Sequence, residues 1–341
     1  MIMSRACACL AFAWAWLLLG VASGAGHDTY TSLPESQWFV PGDHATEISQ
    51  FIGSWRGEQR IDALDMFGFS RGIQRVWEHH GYVGAALDVG LGGNSHDLLS
   101  EEGFYVWLDH LMQMRHGGIC VAGPPCSLWI FISAGTHKRG RHGNGIRGDI
   151  SLKCVRTANC ILRNFAALLR YIHEIRQLIF VIEQPISSQM FRTPEMEYLK
   201  GIWSLVTVST WLGLFGHILM KGTKLLTNLP ETGGLSRKMT RARRQAIKRR
   251  QERAMQAARR RGKSLCYYRR DKEGRVSGGK DLSSTSSYPK KFCTEIFKLW
   301  SAALTQAPPI PVQIIESSSS SSSEPEHDET YEIQTINSSQ G

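Results

Sequence analysis

From about position 60 the chain alternates short apolar runs with longer stretches in which apolar residues recur every three or four positions. The first kind reads as strand and the second as helix. The pattern predicts strands at 61–67, 83–88, 118–122 and 178–183, and helices at 72–80, 101–114 and 152–175. Strands separated by helices build a sheet covered on both faces, so the expected fold class is α/β, with a doubly wound, mostly parallel, Rossmann-like sheet. Ahead of it, residues 27–59 hold no steady period and read as a linker with one short helix at 45–55.

In such sheets ligands lie beyond the carboxyl ends of the strands, and here those ends carry distinct groups. The first strand runs into Asp65-Met66-Phe67-Gly68 and turns through small residues to Gly72. The second ends in Asp88, 23 residues beyond Asp65, a separation from which an acid reaches ribose hydroxyls. A polar turn follows at His96-Asp97-Leu98. Gly123-Pro124-Pro125-Cys126 closes the next strand and Glu183-Gln184-Pro185 the last.

Taken in order, these segments resemble the DNA (cytosine-5) methyltransferase family. That family runs from an Asp-x-Phe glycine turn through an acid about 20 residues on, an Asp-Ile-type turn and Pro-Pro-Cys to a Glu-Asn-Val strand end. Lys221-Gly222-Thr223-Lys224-Leu225-Leu226-Thr227-Asn228 is similar to the Lys-Pro-Thr-x-x-x-Thr-Asn hairpin of virus-type members, and Tyr288-Pro289, heading a helix to about Leu304, is similar to their closing segment. The likeness spans residues 60–304. Phe69 stands where the family turn has Gly, Ser127 where it has Gln, Ile130 where it has Ser, and Gln184-Pro185 where it has Asn-Val. Between Pro185 and Thr223 there is no Gln-x-Arg-x-Arg segment.

The resemblance implies a class I methyltransferase fold with S-adenosyl-L-methionine as cofactor, held by Asp65, Phe67, Gly68, Gly72, Asp88, Asp97, Leu98 and Pro124. Cytosine C5 is a weak nucleophile, so a thiolate first adds at C6 of an extruded base. By the resemblance that thiolate is Cys126, and Glu183 holds or protonates N3. Three readings follow: methylation of cytosine in DNA, methylation of RNA on the same scaffold, and a methyltransferase fold that binds nucleic acid without catalysis.

The formal charge of +10 is concentrated in one place. Residues 237–263 hold thirteen Lys and Arg against Glu252 alone, a charge of +12 that leaves the remainder near −2. This defines a basic helical insertion at 236–280 between the body at 60–235 and the closing segment at 281–306. Arg243, Arg244, Arg249 and Arg250 within it are candidate phosphate contacts, as are Lys138, Arg139, Arg141 and Arg147 in the glycine-rich loop at 135–148. DNA is the favoured partner and RNA the alternative. No partner protein can be inferred. His79, His80, His137 and His142 read as surface or loop residues. No Cys-x-x-Cys pair occurs among the eight cysteines, so no metal is expected.

Residues 1–26 pair an early Arg5 with an apolar run and small residues at Ala22, Ser23 and Gly24, the layout of a signal peptide or targeting leader. It implies the secretory route or an organelle, and a membrane association if it is retained. The basic run and substrate class imply the nucleus instead. Residues 307–341, rich in Ser and acids, read as a disordered tail.

Overall fold

The computed structural model describes residues 34–140, 144–173, 175–263, 268–270, 276–278 and 286–306. The leader at 1–26, the tail at 307–341, Arg141 and His142 lie outside the described residues.

The fold is α/β. Strands Ile61–Met66 (β1), Gly84–Leu87 (β2), Met114–Ala122 (β3), Ile179–Pro185 (β4), Val206–Trp211 (β5) and Gly222–Thr227 (β6) form one mixed sheet, in the order β2-β1-β3-β4-β6-β5. The first four pair in parallel, and β6 runs antiparallel between β4 and β5. The helices longer than one turn are Ala45–Ser54 (α1), Gly72–His79 (α2), Glu101–Met112 (α3), Lys153–His173 (α4), Pro194–Ile202 (α5), Arg241–Arg260 (α6) and Lys290–Gln306 (α7).

Side chains along a strand point alternately to its two faces, and here each set finds a helix layer. Leu64, Met66, Cys120, Ala122, Phe180 and Ile182 pack with Phe104 and Leu108 of α3 and Phe165 and Leu169 of α4. Ala63, Ile119, Val121 and Val181 pack with Ile73 and Trp77 of α2 and with Phe292 and Trp300 of α7. Burial on both sides is why β3 and β4 carry the consecutive apolar residues Ile119 to Ala122 and Ile179 to Ile182.

Three differences from the sequence expectation have physical causes. Residues 34–54, expected as a linker with one short helix at 45–55, form that helix as α1 but also carry Phe39 and Ile48 into the core; each is buried, which stabilises by roughly 1.5–3 kcal/mol per side chain. The Phe39 carbonyl accepts from Asn164 Nδ2 at 3.1 Å and Arg156 forks onto Glu35 at 2.6 and 2.8 Å, so α4 anchors the segment through isolated contacts that leave no period. The basic insertion is helical only to Arg260. There Gly262 turns at φ 69°, and two short strands, Tyr268–Arg270 (β7) and Val276–Gly278 (β8), pair antiparallel. The strand β5, unforeseen, is half exposed at the sheet edge.

From β1 the chain goes outward to β2, then returns to place β3 on the other side of β1. Connections therefore diverge between the carboxyl ends of β1 and β3, where the sheet opens a crevice.

Candidate active site

A cavity of about 340 Å³ lies at that divergence. Asp65, Phe67, Gly68 and Phe69 wall it from the end of β1, Pro124 to Ser127 from the end of β3, Glu183 from β4, Lys221 from the turn before β6, and Tyr288 from the segment before α7. Segments far apart in sequence thus contribute to one chamber.

Asp65 is buried, and its Oδ2 accepts the Ile73 amide at 3.0 Å, which caps the first turn of α2. Its other oxygen has no hydrogen-bond partner among the described residues. Burial pushes its carboxyl up to about 7; the amides of Ile73 and Gln74 oppose this, and the charge of Asp88 adds to it. Gly68 permits the arrangement, because a Cβ there would sit 2.2 Å from the Asp65 carboxyl. Phe67 holds φ 59° and sets its ring 4.8 Å from Trp107 and 5.6 Å from Phe165.

Cys126 follows the two prolines, and its position depends on Gln184. That side chain is wholly buried, donates through Nε2 to the Pro124 carbonyl at 2.6 Å, and accepts from the Ser188 hydroxyl at 2.8 Å. The Pro-Pro-Cys loop is thereby tied to β4. Glu183 accepts from the Thr223 hydroxyl at 3.2 Å, and Lys221 Nζ lies 4.0 Å from the same oxygen. Burial pushes the Cys126 thiol up to about 11; Lys221 pulls it down and Glu183 pushes it further up. The thiol is therefore protonated at neutral pH.

Tyr288 turns its hydroxyl to the Gly123 backbone, where a Cβ would lie 2.6 Å away, and that hydroxyl has no partner among the described residues. Burial raises it well above the ordinary phenol range. An unpartnered acceptor at Asp65 and an unpartnered donor at Tyr288 suit a ligand that carries both polar signs.

Other sequence candidates sit elsewhere. Asp88 is buried at the start of a single helical turn, accepts the Gly90 amide at 2.7 Å, and is pushed up to about 6 by burial. It does not line the cavity: the Phe69 ring packs on Gly90, 2.6 Å from where a Cβ would be. Asp97 accepts the Leu99 amide at 3.0 Å, and the Leu98 carbonyl accepts from Asn164 at 2.7 Å, so both shape the turn into α3. Gly72 opens α2 beside a second cleft.

Two basic candidates are corrected. Arg139 is buried: Nε donates to the Leu128 carbonyl at 2.8 Å, Nη1 to carbonyls of Ile146 and Arg147 and to Asn159, and the guanidinium covers Trp129 at 3.4 Å. Burial lowers it to about 9, and it organises the loop from inside instead of reaching phosphate. Arg250 donates to the carbonyls of Gly213 and His217, and with buried Ile247 it docks α6. Arg243, Arg244 and Arg249 are exposed; Lys138 pairs with Asp149 at 2.8 Å and Arg147 pairs with Glu195. His137, expected as a surface or loop residue, is buried and accepts the Arg139 amide at 3.0 Å.

Sequence reasoning gave no site role to Lys221, Tyr288 or Gln184. The first two belong to the Lys-Gly-Thr and Tyr-Pro segments, and Gln184 is a departure from the family pattern. No protein-family model matches the chain, and no curated protein matches it.

Proposed function

We propose that the protein is an S-adenosyl-L-methionine-dependent methyltransferase of doubly wound fold that acts at C5 of cytosine in DNA. The observation that carries this reading is the meeting of Cys126 and Glu183 with the Asp65–Tyr288 end of the chamber in a single cavity at the strand divergence. The cofactor fits part of what is present: Asp65 offers a free acceptor to an ammonium or hydroxyl, Tyr288 a donor to a carboxylate, and Phe67 and Phe69 apolar faces to a purine. Asp88 would meet a ribose only after the Phe69 ring moves. When bound, the cofactor supplies an electrophilic methyl group.

In this reading the Cys126 thiol gives its proton to solvent and the sulfur adds to C6 of an extruded cytosine, opening the C5–C6 double bond; once C5 carries a methyl group, loss of the C5 proton re-forms that bond and expels the sulfur. Glu183, held by Thr223, meets N3 and passes it a proton, which neutralises the negative charge that builds on the ring. Gln184 keeps the sulfur in place through Pro124. The exposed arginines of α6 hold phosphates, a sequence-independent contact that weakens with salt.

A second reading, nucleic-acid binding without methyl transfer, is supported by the ring of Phe69 over Gly90 and by a thiol held near 11. One experiment separates them. Labelled cofactor is offered with DNA or with RNA to wild-type protein and to Cys126→Ala. Transfer to DNA that is lost in the variant while cofactor binding persists supports the enzyme; transfer to RNA alone moves the substrate; absence of transfer with retained nucleic-acid binding supports the second reading.

A further inference from the structure

The chamber contains a cation that neither the mechanism above nor the sequence motifs put to use. Lys221 holds a left-handed backbone, φ 37°, a conformation that favours glycine and strains a lysine. Its carbonyl is fixed from two sides, by the Leu212 amide at 3.0 Å and the Thr223 hydroxyl at 3.3 Å. The side chain lines the cavity, with its ammonium 4.0 Å from Glu183 Oε1. Strain maintained by surrounding contacts is a mark of functional positions.

The geometry points to Lys221 as the cation that governs ionisation of the Cys126 sulfur, acting through that sulfur and not as a group that touches substrate. The inference rests on the reading of Cys126 as nucleophile. Four ionisable groups from four elements share the chamber with Cys126: Asp65 after β1, Glu183 on β4, Lys221 before β6 and Tyr288 before α7. Lys221 is the basic side chain among these, and its field favours a thiolate, whereas the Glu183 carboxylate opposes one.

The test is alkylation of the full chain by iodoacetamide between pH 6 and 10.5, read at Cys126 by peptide mass mapping. The S–H proton goes to solvent, sulfur bonds to the reagent carbon and iodide leaves. Lys221→Met should move the Cys126 profile to higher pH, with alkylation at pH 8 slowed roughly tenfold, about one unit of apparent thiol pKa. Lys221→Arg should keep the wild-type profile. Glu183→Gln should move it the opposite way, which no general loss of folding would do. Lys221→Gly removes the charge while relieving the backbone, so it should shift like Met with an unfolding midpoint equal to or above wild type.

A Met or Gly profile superimposable on wild type overturns the inference, as does an Arg variant slowed as much as Met, or Cys126 that resists alkylation throughout. Alkylation needs neither cofactor nor nucleic acid. A negative result here therefore leaves the methyl-transfer experiment to stand or fall by itself.

Discussion

Replacing Asp65 by Asn isolates the electrostatic burden of the chamber. In the folded protein this carboxyl is buried at the end of β1 and titrates at about 7, against an ordinary value of 3.8. Between those values the folded state holds a proton that the unfolded state has released, so stability falls as pH rises. The contribution is fully present below the unfolded pKa and lost as pH passes through the folded one. A shift of this size corresponds to roughly 4 kcal/mol in all, of which about 2.5 kcal/mol falls between pH 5 and pH 8. Asp88, pushed up to about 6, adds a smaller decline of the same sign. Urea unfolding of wild type and Asp65→Asn at pH 5, 6, 7 and 8 measures the difference directly, because other titrating groups cancel. The variant should lose most of the pH dependence and gain stability relative to wild type as pH rises. Parallel curves for the two proteins would refute the assignment of a raised carboxyl to this position.

Other outcomes follow from the same contacts. Gln184→Leu strands the Pro124 carbonyl and the Ser188 hydroxyl, so urea denaturation should register a loss of roughly 2–4 kcal/mol and Cys126 should alkylate faster; a loss near zero would remove Gln184 as the tie. Gly68→Ala sets a methyl 2.2 Å from the Asp65 carboxyl and should destabilise by roughly 1–3 kcal/mol, whereas Gly135→Ala, with nothing within 4 Å, should change thermal stability little. Arg244→Glu with Arg249→Glu should weaken DNA binding and flatten its salt dependence in anisotropy titrations without altering the unfolding midpoint, because both side chains are exposed; Arg250→Ala should lower that midpoint instead, since this residue docks the helix.

The framework of the fold was legible because parallel strands buried on both faces announce themselves as apolar runs. Predicted and observed limits for β1, α2 and α4 differ by only one or two residues at either end. An edge strand such as β5 sends a weaker signal, with Val206 and Thr207 facing solvent. The chamber was legible where motifs mark strand ends, as at Asp65, Cys126 and Glu183. It was illegible where a role depends on burial. Arg139 and Arg147 look alike in a basic loop, yet one covers Trp129 and the other reaches Glu195 at the surface. Lys221 was hidden for a related reason, because nothing in the letters Lys-Gly-Thr reveals a left-handed backbone that turns an ammonium inward.

The distance in sequence between Asp65 and Tyr288, which face one cavity, has a consequence for how the chamber comes into being during synthesis. Domains fold as the chain emerges, at about 5–20 residues per second, so the wall at the end of β1 leaves the ribosome roughly 11 to 45 s before the phenol that closes the chamber. Until α7 docks on Trp77 and the sheet, the apolar face beneath it is also bare. The nascent chain thus passes through a period when its sheet is largely complete, its cavity is open on one side, and a sticky surface is shown to whatever is nearby. The closing wall of the chamber and the cover over that apolar face arrive together, with α7.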